Sequence, residues 1–378
     1  MGTVARRSSG SRRAKPETPF HRLGRLPTAI GLHRSHPHQP VRGLQLASSV
    51  RVFGGGWSQV FDTRTPVRVA VLGSLVFDIS LRVSRVPDTH ETILADSAQI
   101  SAGGKGLCQA VAARRLGATV DAIGAVGDDV FGEYLLGVLD EEGIGRDNVS
   151  VTLAGTHLGI PIITPDGNNR IIGVPRASFE LSLGDVQAGA SVLRESDVLL
   201  VQGETPLDCI VTAIGLSRLS TLIVWNPAPA RFTVEQMLGD GREHLVAWLT
   251  PNETEAGILT GTHVTDVPTA LQAARIIRDD YPAVGVAVTL GAQGAVAIDR
   301  NGLETVAAPF TVNAIDPTAA GDCFTAAFAV SLAWGANLEE ALTMGCAAGA
   351  LSVTRRGAMP SIPTLAHVFE LVNERDPG

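Results

Sequence analysis

Two segments rich in small residues, each leading into a predicted helix, could bind an anion or a hydroxylated ligand. The first is Ser-Ala-Gly-Gly-Lys-Gly at 101–106, and the second is Asp-Pro-Thr-Ala-Ala-Gly-Asp at 316–322. Small residues at a helix N-terminus leave backbone N–H groups accessible at the positive end of the helix dipole. The second segment therefore predicts an anion hole suited to a phosphoryl group in transfer.

Asp322 lies in the same turn as this predicted anion hole, where its carboxylate can accept a proton from an attacking hydroxyl. An aspartate at the start of a helix can also act only as an N-cap. The small residues Ala319, Ala320 and Gly321 favour the catalytic interpretation, because capping alone does not require them. The segment 101–106 could likewise be a simple flexible turn, but three glycines in four positions argue against that.

Polar residues follow several predicted strands. They are Asp78, Glu204, Asn226 and the polar residues within 251–255 and 291–294. In an open α/β sheet, ligands bind at the carboxyl ends of the strands, so these residues should gather at one edge. Each could alternatively cap a helix or lie solvated in a turn.

Two common nucleotide-binding motifs are missing from the sequence. It has neither a GxxxxGK[ST] P-loop nor a GxGxxG motif after its first strand, which argues against a P-loop NTPase and a simple dinucleotide-binding fold.

Hydrophobic periodicity predicts the elements that would position these residues. Strands are predicted at 67–73, 79–86, 91–100, 120–126, 198–202, 222–225, 245–249 and 284–290. Helices are predicted at 105–116, 129–142, 183–194, 207–219, 253–259, 269–280, 321–332, 338–353 and 364–373. Strands that alternate with helices indicate a mainly parallel sheet covered on both faces.

A second, smaller sheet is predicted beside the first. Residues 159–164 and 170–174 flank the turn Pro-Asp-Gly-Asn-Asn and should form a hairpin. Together with the strands predicted at 79–86 and 91–100, this hairpin could form a small separate sheet built from about 79–101 and 158–175.

The composition predicts an acidic folded body with a basic N-terminal segment. The chain has 378 residues, 45% hydrophobic and 4% aromatic, which is enough to bury a large aliphatic core. Residues 1–66 contain 11 of the 30 basic residues and two of the 38 acidic ones. The acidic body at 67–378 has no general attraction for nucleic acid. The segment 1–66 could bind polyanions or be a transit peptide, but we expect a disordered extension or a mis-assigned start codon.

We expect neither a membrane span nor a disulfide. The uncharged apolar stretch 281–298 is interrupted by Pro282 and three glycines, so it is typical of two strands around a turn. The four cysteines include no CxxC pair, which disfavours disulfides and a zinc site and fits a reducing cytoplasm.

The motifs resemble those of the ribokinase-like, or PfkB, family of carbohydrate kinases. Residues 103–106 with 109–113 are similar to the first signature of the family, and 316–322 followed by Phe324 are similar to the second, with Pro317 at a usual threonine position. Segments 226–231, 250–255 and 353–358 resemble ribokinases in particular. The resemblance covers 67–378 and implies a three-layer ribokinase-like α/β fold with a small β-sheet lid, through which two subunits would pair as a homodimer.

The resemblance also implies ATP-dependent phosphorylation of a sugar hydroxyl, with Asp322 as the base and the N–H groups of 319–322 as the anion hole. Sugar contacts would come from Asp78, Gly103, Gly104, Lys105, Cys108, Glu204 and Asp322. The nucleotide would lie near Asn252, Thr289, Gly291, Gly294 and Gly321, with Asn252 and Glu255 placing Mg²⁺ and phosphate. A monovalent cation, K⁺, would lie near Asp316, Thr318, Ser352, Arg355, Gly357 and Ser361.

Two departures from the ribokinase pattern matter most and make ribose only the default substrate. Ribokinases carry asparagines that contact ribose hydroxyls at the positions of Val76 and Cys108. In addition, Thr89-His90 replaces a usual proline-glycine pair. Fructose, 2-keto-3-deoxygluconate or a nucleoside would suit a less polar pocket. A non-catalytic sugar- or nucleotide-binding protein is a further alternative, against which the intact Asp322 argues.

Overall fold

The structure, a computed structural model, describes residues 66–165 and 169–375. The expectations for 1–66 therefore lie outside the described residues, apart from residue 66 itself. The same holds for the middle of the turn predicted at 165–169.

Thirteen strands are present in the described part of the chain. They are β1 (Arg68–Leu72), β2 (Val76–Arg82), β3 (Ser97–Gly103), β4 (Thr119–Gly127), β5 (Gly145–Thr152), β6 (His157–Ile163), β7 (Asn169–Val174), β8 (Val198–Gln202), β9 (Leu222–Asn226), β10 (Val246–Leu249), β11 (Gly285–Thr289), β12 (Ala295–Ile298) and β13 (Glu304–Ala307).

Twelve α-helices lie between and after these strands in the same residues. They are α1 (Lys105–Arg115), α2 (Val130–Glu142), α3 (Leu183–Ala188), α4 (Ala190–Glu195), α5 (Leu207–Leu216), α6 (Val234–Leu238), α7 (Glu253–Thr260), α8 (Val267–Asp280), α9 (Ala320–Ala333), α10 (Leu338–Ser352), α11 (Ala358–Ser361) and α12 (Leu365–Arg375). Among the described residues, no helix combines the length and the apolar character needed to cross a membrane.

A nine-stranded sheet forms the middle layer, in the order β13-β12-β11-β10-β9-β8-β1-β4-β5. All neighbouring strands are parallel except the antiparallel pairs β11–β12 and β12–β13. Because successive strand residues point to opposite faces, Val69 and Val71 pack into one core and Ala70 and Leu72 into the other. Helices α1, α2, α9, α10 and α12 cover the first face, and α3 to α8 cover the second. The predicted three-layer α/β fold is confirmed.

A separate four-stranded sheet has the order β3-β2-β6-β7. Strand β2 pairs antiparallel with β3 and parallel with β6, and β7 closes the hairpin with β6. In this register Asp78 lies between Ser101 and Gly159. The predicted small sheet and its hairpin are confirmed.

Some predicted boundaries are wrong, and each has a local cause. The strand predicted at 91–100 begins only at Ser97, because an ion pair with Arg85 and an Asp88 N–H bond of 2.9 Å hold Glu91 in a closed loop. Strand β2 begins at Val76, so Asp78 lies inside a strand and not in the loop after β1. The helix predicted at 183–194 is interrupted at Gly189, which ends α3 and caps α4.

Strands β5 and β13 were not predicted. Both are edge strands, and most of their residues are exposed or half-buried, so they lack the apolar run of the central strands. The stretch 281–298 contains β11 and β12 around a short turn at Gly291–Gln293, as its glycines predicted.

Helix α9 begins after a residue in the left-handed region. Ala319 has φ +64° and is the N-cap of the helix, with no side-chain capping bond. A non-glycine residue costs about 1–2 kcal/mol in this conformation, because its Cβ crowds the following carbonyl oxygen. The start of α9 therefore holds local strain.

We expect Ala319→Gly to raise the free energy of unfolding by about 0.5–1 kcal/mol. Relief of the strain outweighs the roughly 0.4–1 kcal/mol that glycine loses through unfolded-state entropy. Urea denaturation measures this change. The matched control is Ala320→Gly, inside the first turn of the helix, which should destabilise by up to about 1 kcal/mol. Destabilisation by both substitutions would contradict the strain at Ala319.

Candidate active site

A cavity of about 490 Å³ lies where the carboxyl ends of the central strands meet the small sheet. The predicted site residues that line it are Asp78, Gly104, Lys105, Cys108, Glu204, Asn252, Glu255, Thr289, Thr318, Ala319, Ala320, Gly321 and Asp322. They come from segments spread over more than 240 residues of sequence, which the parallel sheet brings to one edge. The predicted gathering of polar residues at this edge is therefore present.

Asp322, in the first turn of α9, is only 8% exposed. Its Oδ1 accepts a hydrogen bond of 3.0 Å from Nε2 of Gln109. Burial raises the pKa of Asp322 to about 6, although the charge of Lys105 and the Gln109 bond act in the opposite direction. The group is thus a carboxylate at neutral pH with a higher proton affinity than an exposed aspartate, as a general base requires.

Gln109 connects three parts of the site while being fully buried in α1. Its Nε2 also donates to Oδ1 of Asn226 over 3.2 Å, and its Oε1 accepts a bond of 2.7 Å from Nε2 of Gln202. Asn226 in turn donates to the carbonyl of Thr250 over 2.7 Å. Because an ionised carboxylate can only accept, Asp322 fixes the direction of the amides along this chain. Sequence reasoning gave Gln109 no role beyond its place in a motif.

Lys105 supplies a positive charge among three carboxylates at the start of α1. Burial by itself would lower its pKa, but the charges of Asp322, Glu204 and Glu255 outweigh burial and raise it. The ammonium therefore stays protonated and lines the cavity, where it can attract an anionic group.

Asp78 and Glu204 lie on the small-sheet side of the cavity. Burial, with a contribution from the charge of Glu204, raises the pKa of Asp78 to about 6. A Cβ added to Gly103 or Gly159 would lie 2.0 Å from an Asp78 oxygen, so glycine at both positions makes room for this carboxylate. Glu204 accepts bonds from the Ser74 hydroxyl and, over 3.1 Å, from the Lys105 N–H. Gly103 therefore shapes the site without lining the cavity.

Asn252 and Glu255 form the capping box of α7. Asn252 Oδ1 accepts the Glu255 N–H over 2.8 Å, and Glu255 Oε2 accepts the Asn252 N–H over 3.0 Å. Burial raises the pKa of Glu255. The described residues contain no cluster of three or more His, Cys, Asp or Glu side chains able to hold a metal ion. The pair instead suits Mg²⁺, which keeps several waters and binds through one or two carboxylates plus substrate phosphates.

Asp316 joins two of the other residues predicted for a monovalent cation, Thr318 and Gly357. Its Oδ1 accepts the Thr318 N–H over 3.0 Å and the Thr318 hydroxyl over 2.5 Å, and its Oδ2 accepts the Gly357 N–H over 2.9 Å. Burial alone would raise the pKa of Asp316, but these hydrogen bonds outweigh it and lower the pKa. The hydroxyls of Ser352 and Ser361 donate to the carbonyls of Gly349 and Ala358. Arg355 is exposed nearby in the sequence.

Two predicted nucleotide residues lie outside the lining of the cavity. Gly291 is exposed, with φ +50°. Gly294 has φ +88°, and a Cβ there would lie 2.1 Å from the Ala307 carbonyl oxygen, so the close pairing of β12 and β13 also explains this glycine. Thr289, by contrast, lines the cavity and forms a parallel bridge with Asn252.

Several cavity residues were not predicted as site residues. They are His157, Gly159, Ile171, Gly173, Ala228, Thr250 and Ala358. Val76, Asn226 and Pro317 also line the cavity, and the sequence had drawn attention to all three. Thr250 carried a usable signal, because it follows a predicted strand. The sequence around His157, Ile171 and Gly173 gave no such signal, because these residues belong to the small sheet. They reach the cavity only because that sheet packs over it.

Comparisons with known proteins identify the family of the chain. Residues 67–365 match the pfkB family of carbohydrate kinases. The chain is 37% identical over 306 residues to a ribokinase of Haemophilus influenzae, covering 80% of this chain and 98% of the relative. It is 31% identical over 307 residues to a deoxyribokinase of Salmonella typhi, covering 81% of this chain and 98% of the relative.

The fold is similar to that of solved ribokinases. The structure of Arabidopsis thaliana ribokinase complexed with ribose and ATP superimposes with a TM-score of 0.73 at 28% identity, covering 82% of this chain and 99% of that one. The match over 67–365, the relatives and the shared fold lead to one conclusion, which is that the chain belongs to the pfkB family of carbohydrate kinases.

Proposed function

We propose that the protein transfers the γ-phosphate of ATP to a hydroxyl of a sugar, with D-ribose as the default acceptor. The observation that carries this proposal is the buried Asp322 carboxylate at the N-terminus of α9, inside a cavity shared by both sheets. The ribokinase relatives, and the solved ribokinase that binds ribose and ATP, support the same reaction.

Asp322 is the general base of the proposed reaction. Because Gln109 occupies its Oδ1, Oδ2 is the oxygen left to accept the proton of the sugar hydroxyl. The hydroxyl oxygen then attacks the γ-phosphorus, and the bond between that phosphorus and the bridging oxygen of ADP breaks. The N–H groups of 319–322 and the Lys105 ammonium stabilise the negative charge on the transferred group.

The remaining parts of the site place the two substrates. Asp78 and Glu204 accept hydrogen bonds from sugar hydroxyls, and the nucleotide lies along Asn252 and Thr289 toward Gly291 and Gly294. Mg²⁺ held near Asn252 and Glu255 would neutralise phosphate charge. A K⁺ ion near Asp316 and the 353–361 segment would fix the loop that leads into α9.

The small sheet is also the proposed dimer interface. Its face away from Asp78 is apolar, and Ile100 and Ile172 on that face are 57% and 52% exposed. Exposed apolar surface of this kind is typical of a protein interface. The four cysteines are free thiols, which is consistent with the proposed cytoplasmic location.

The fall of kcat/KM at acidic pH tests the role of Asp322 as the general base. We expect kcat/KM for the sugar to fall below about pH 6, because burial gives Asp322 and Asp78 pKa values near 6 and both act as carboxylates. Two ionisations give a limiting slope of two in a plot of log kcat/KM against pH, and Asp78→Asn should reduce that slope to one.

The substitution Asp322→Asn tests the same base by mutation. The variant should bind ATP but lose about 10²–10⁴ in kcat, because it cannot accept the proton of the sugar hydroxyl. Near-full turnover by Asp322→Asn would reject its role.

Substrate choice is tested at the two departures from the ribokinase pattern. Val76 and Cys108 both line the cavity, and neither offers a strong hydrogen bond. We expect Val76→Asn with Cys108→Asn to raise kcat/KM for ribose at least about tenfold, equal to roughly 1.4 kcal/mol. Steady-state kinetics on ribose, 2-deoxyribose, fructose, 2-keto-3-deoxygluconate and adenosine measure this. A wild-type protein that already prefers ribose at micromolar KM, with no gain in the variant, would show that the departures are tolerated.

The cation site predicts a dependence on the salt used. Turnover should be higher in KCl than in NaCl of equal concentration, because the resemblance to ribokinases implies K⁺ near Asp316. Asp316→Asn should reduce the difference, since it weakens the link between Thr318 and Gly357. Equal turnover of the wild-type protein in both salts would contradict the proposed K⁺ site.

The dimer is tested by charging the apolar face of the small sheet. Ile100→Arg with Ile172→Arg should convert a dimer to a monomer in light scattering, because buried unpaired arginines are unfavourable. The control is Leu219→Arg, a residue 91% exposed outside this sheet, which should leave the dimer intact. A wild-type monomer, or dissociation by the control alone, would contradict the interface.

A further inference from the structure

His157, at the start of β6, is a cavity-lining side chain to which the mechanism above gives no task. It is 8% exposed, and its Nδ1 is enclosed without a hydrogen-bond partner among the described residues. Buried polar atoms in folded proteins are nearly always hydrogen-bonded. An unpartnered nitrogen in the wall of a binding cavity therefore points to a ligand as its partner.

The position of His157 in the small sheet places it beside the sugar-binding side chains. In the parallel pairing of β2 with β6 it lies opposite Val76, and Gly159 lies opposite Asp78. Since alternate residues share a face, Val76, Asp78 and His157 all belong to the face that borders the cavity. His157 thus lies across from a residue whose side chain cannot form a hydrogen bond.

Packing holds the imidazole in this position. The ring contacts Phe179 edge-on, with centroids 5.6 Å apart, and the guanidinium of Arg231 lies 4.5 Å above Phe179. On the other side, the position of a Cβ on Gly173 would be 4.0 Å from Nε2, so glycine there leaves space next to the ring. Gly173 itself lines the cavity.

The chemistry of the ring suits a hydroxyl group. Burial lowers the pKa of His157, although the charge of Glu204 acts in the opposite direction, so the ring is neutral at neutral pH. A neutral imidazole has one N–H donor and one acceptor nitrogen, and a hydroxyl can likewise donate and accept.

We propose that His157 is a specificity-determining residue that hydrogen-bonds a hydroxyl of the sugar, at the part of the wall where Val76 and Cys108 provide no such bond. This inference rests on the proposed sugar kinase function. His157 then supplies, from the neighbouring strand, a contact that an amide at position 76 could otherwise make.

The test measures sugar binding separately from turnover. In His157→Phe, a ring remains against Phe179 but the nitrogens are lost. We expect KM for the preferred sugar among D-ribose, 2-deoxy-D-ribose and D-fructose to rise about 10- to 100-fold, with kcat within about threefold. Isothermal titration calorimetry without ATP should show the same loss of affinity.

A rescue variant and a packing control sharpen the test. Val76→Asn added to His157→Phe should recover at least about fivefold of the lost affinity, because the two positions face each other. Phe179→Leu, which removes the ring that packs against His157 and Arg231 but keeps the imidazole nitrogens, should change KM less than about threefold. An unchanged KM in His157→Phe, or an equal loss in Phe179→Leu, would overturn the inference.

The outcomes also separate this inference from the proposed function. If the wild-type protein binds a sugar in calorimetry but phosphorylates none, the kinase proposal fails, and the His157 variants still test the contact by affinity alone. If the wild-type protein binds none of the three sugars, the proposed hydroxyl contact is overturned as well.

Discussion

The hydrogen bond from Gln109 to Asp322 is the constraint on which the rest of the site depends. Asp322, the proposed general base, is buried, and burial opposes the ionised form that would accept a proton. The Gln109 amide and the Lys105 charge offset part of that cost, so the pKa of Asp322 rises only to about 6. The same amide bonds only Oδ1, which leaves Oδ2 for the proposed proton transfer. Both α1 and α9 must therefore be held in fixed positions relative to each other.

Packing against one face of the large sheet holds α1 and α9 in fixed positions relative to each other. Helices α1 and α9 pack in the same core, to which α9 contributes Phe324 and Phe328. The edge contact of Phe328 with Trp248 of β10, with ring centroids 5.0 Å apart, anchors α9 to the sheet, and Phe324 stacks on Phe328 within the helix. The small sheet closes the opposite side of the cavity, where Gly103 and Gly159 admit the Asp78 carboxylate.

Much of this arrangement could be predicted from the sequence, because its signals are local. The small residues before α1 and α9 mark helix N-termini, and apolar runs mark the buried strands of a parallel sheet, so Asp322, Lys105 and the strand-end residues could be identified. Gln109 and His157 could not, because their roles arise from contacts across strands and helices; Gln109 and Asp322 are 213 residues apart. Edge strands β5 and β13 were missed because exposure weakens the hydrophobic pattern on which strand prediction depends.

The proposed reaction joins ATP and a sugar at Asp322 in this cavity and transfers phosphate only to the sugar. The most direct measurement is ³¹P NMR of ATP, Mg²⁺ and D-ribose, or another sugar of the panel, incubated with the wild-type protein. The proposed reaction predicts a sugar phosphate ester that appears in equal amount with ADP, little inorganic phosphate, and no ester with Asp322→Asn on the same timescale. ADP formed with inorganic phosphate and no ester, or an unchanged ATP spectrum with every sugar, would contradict it.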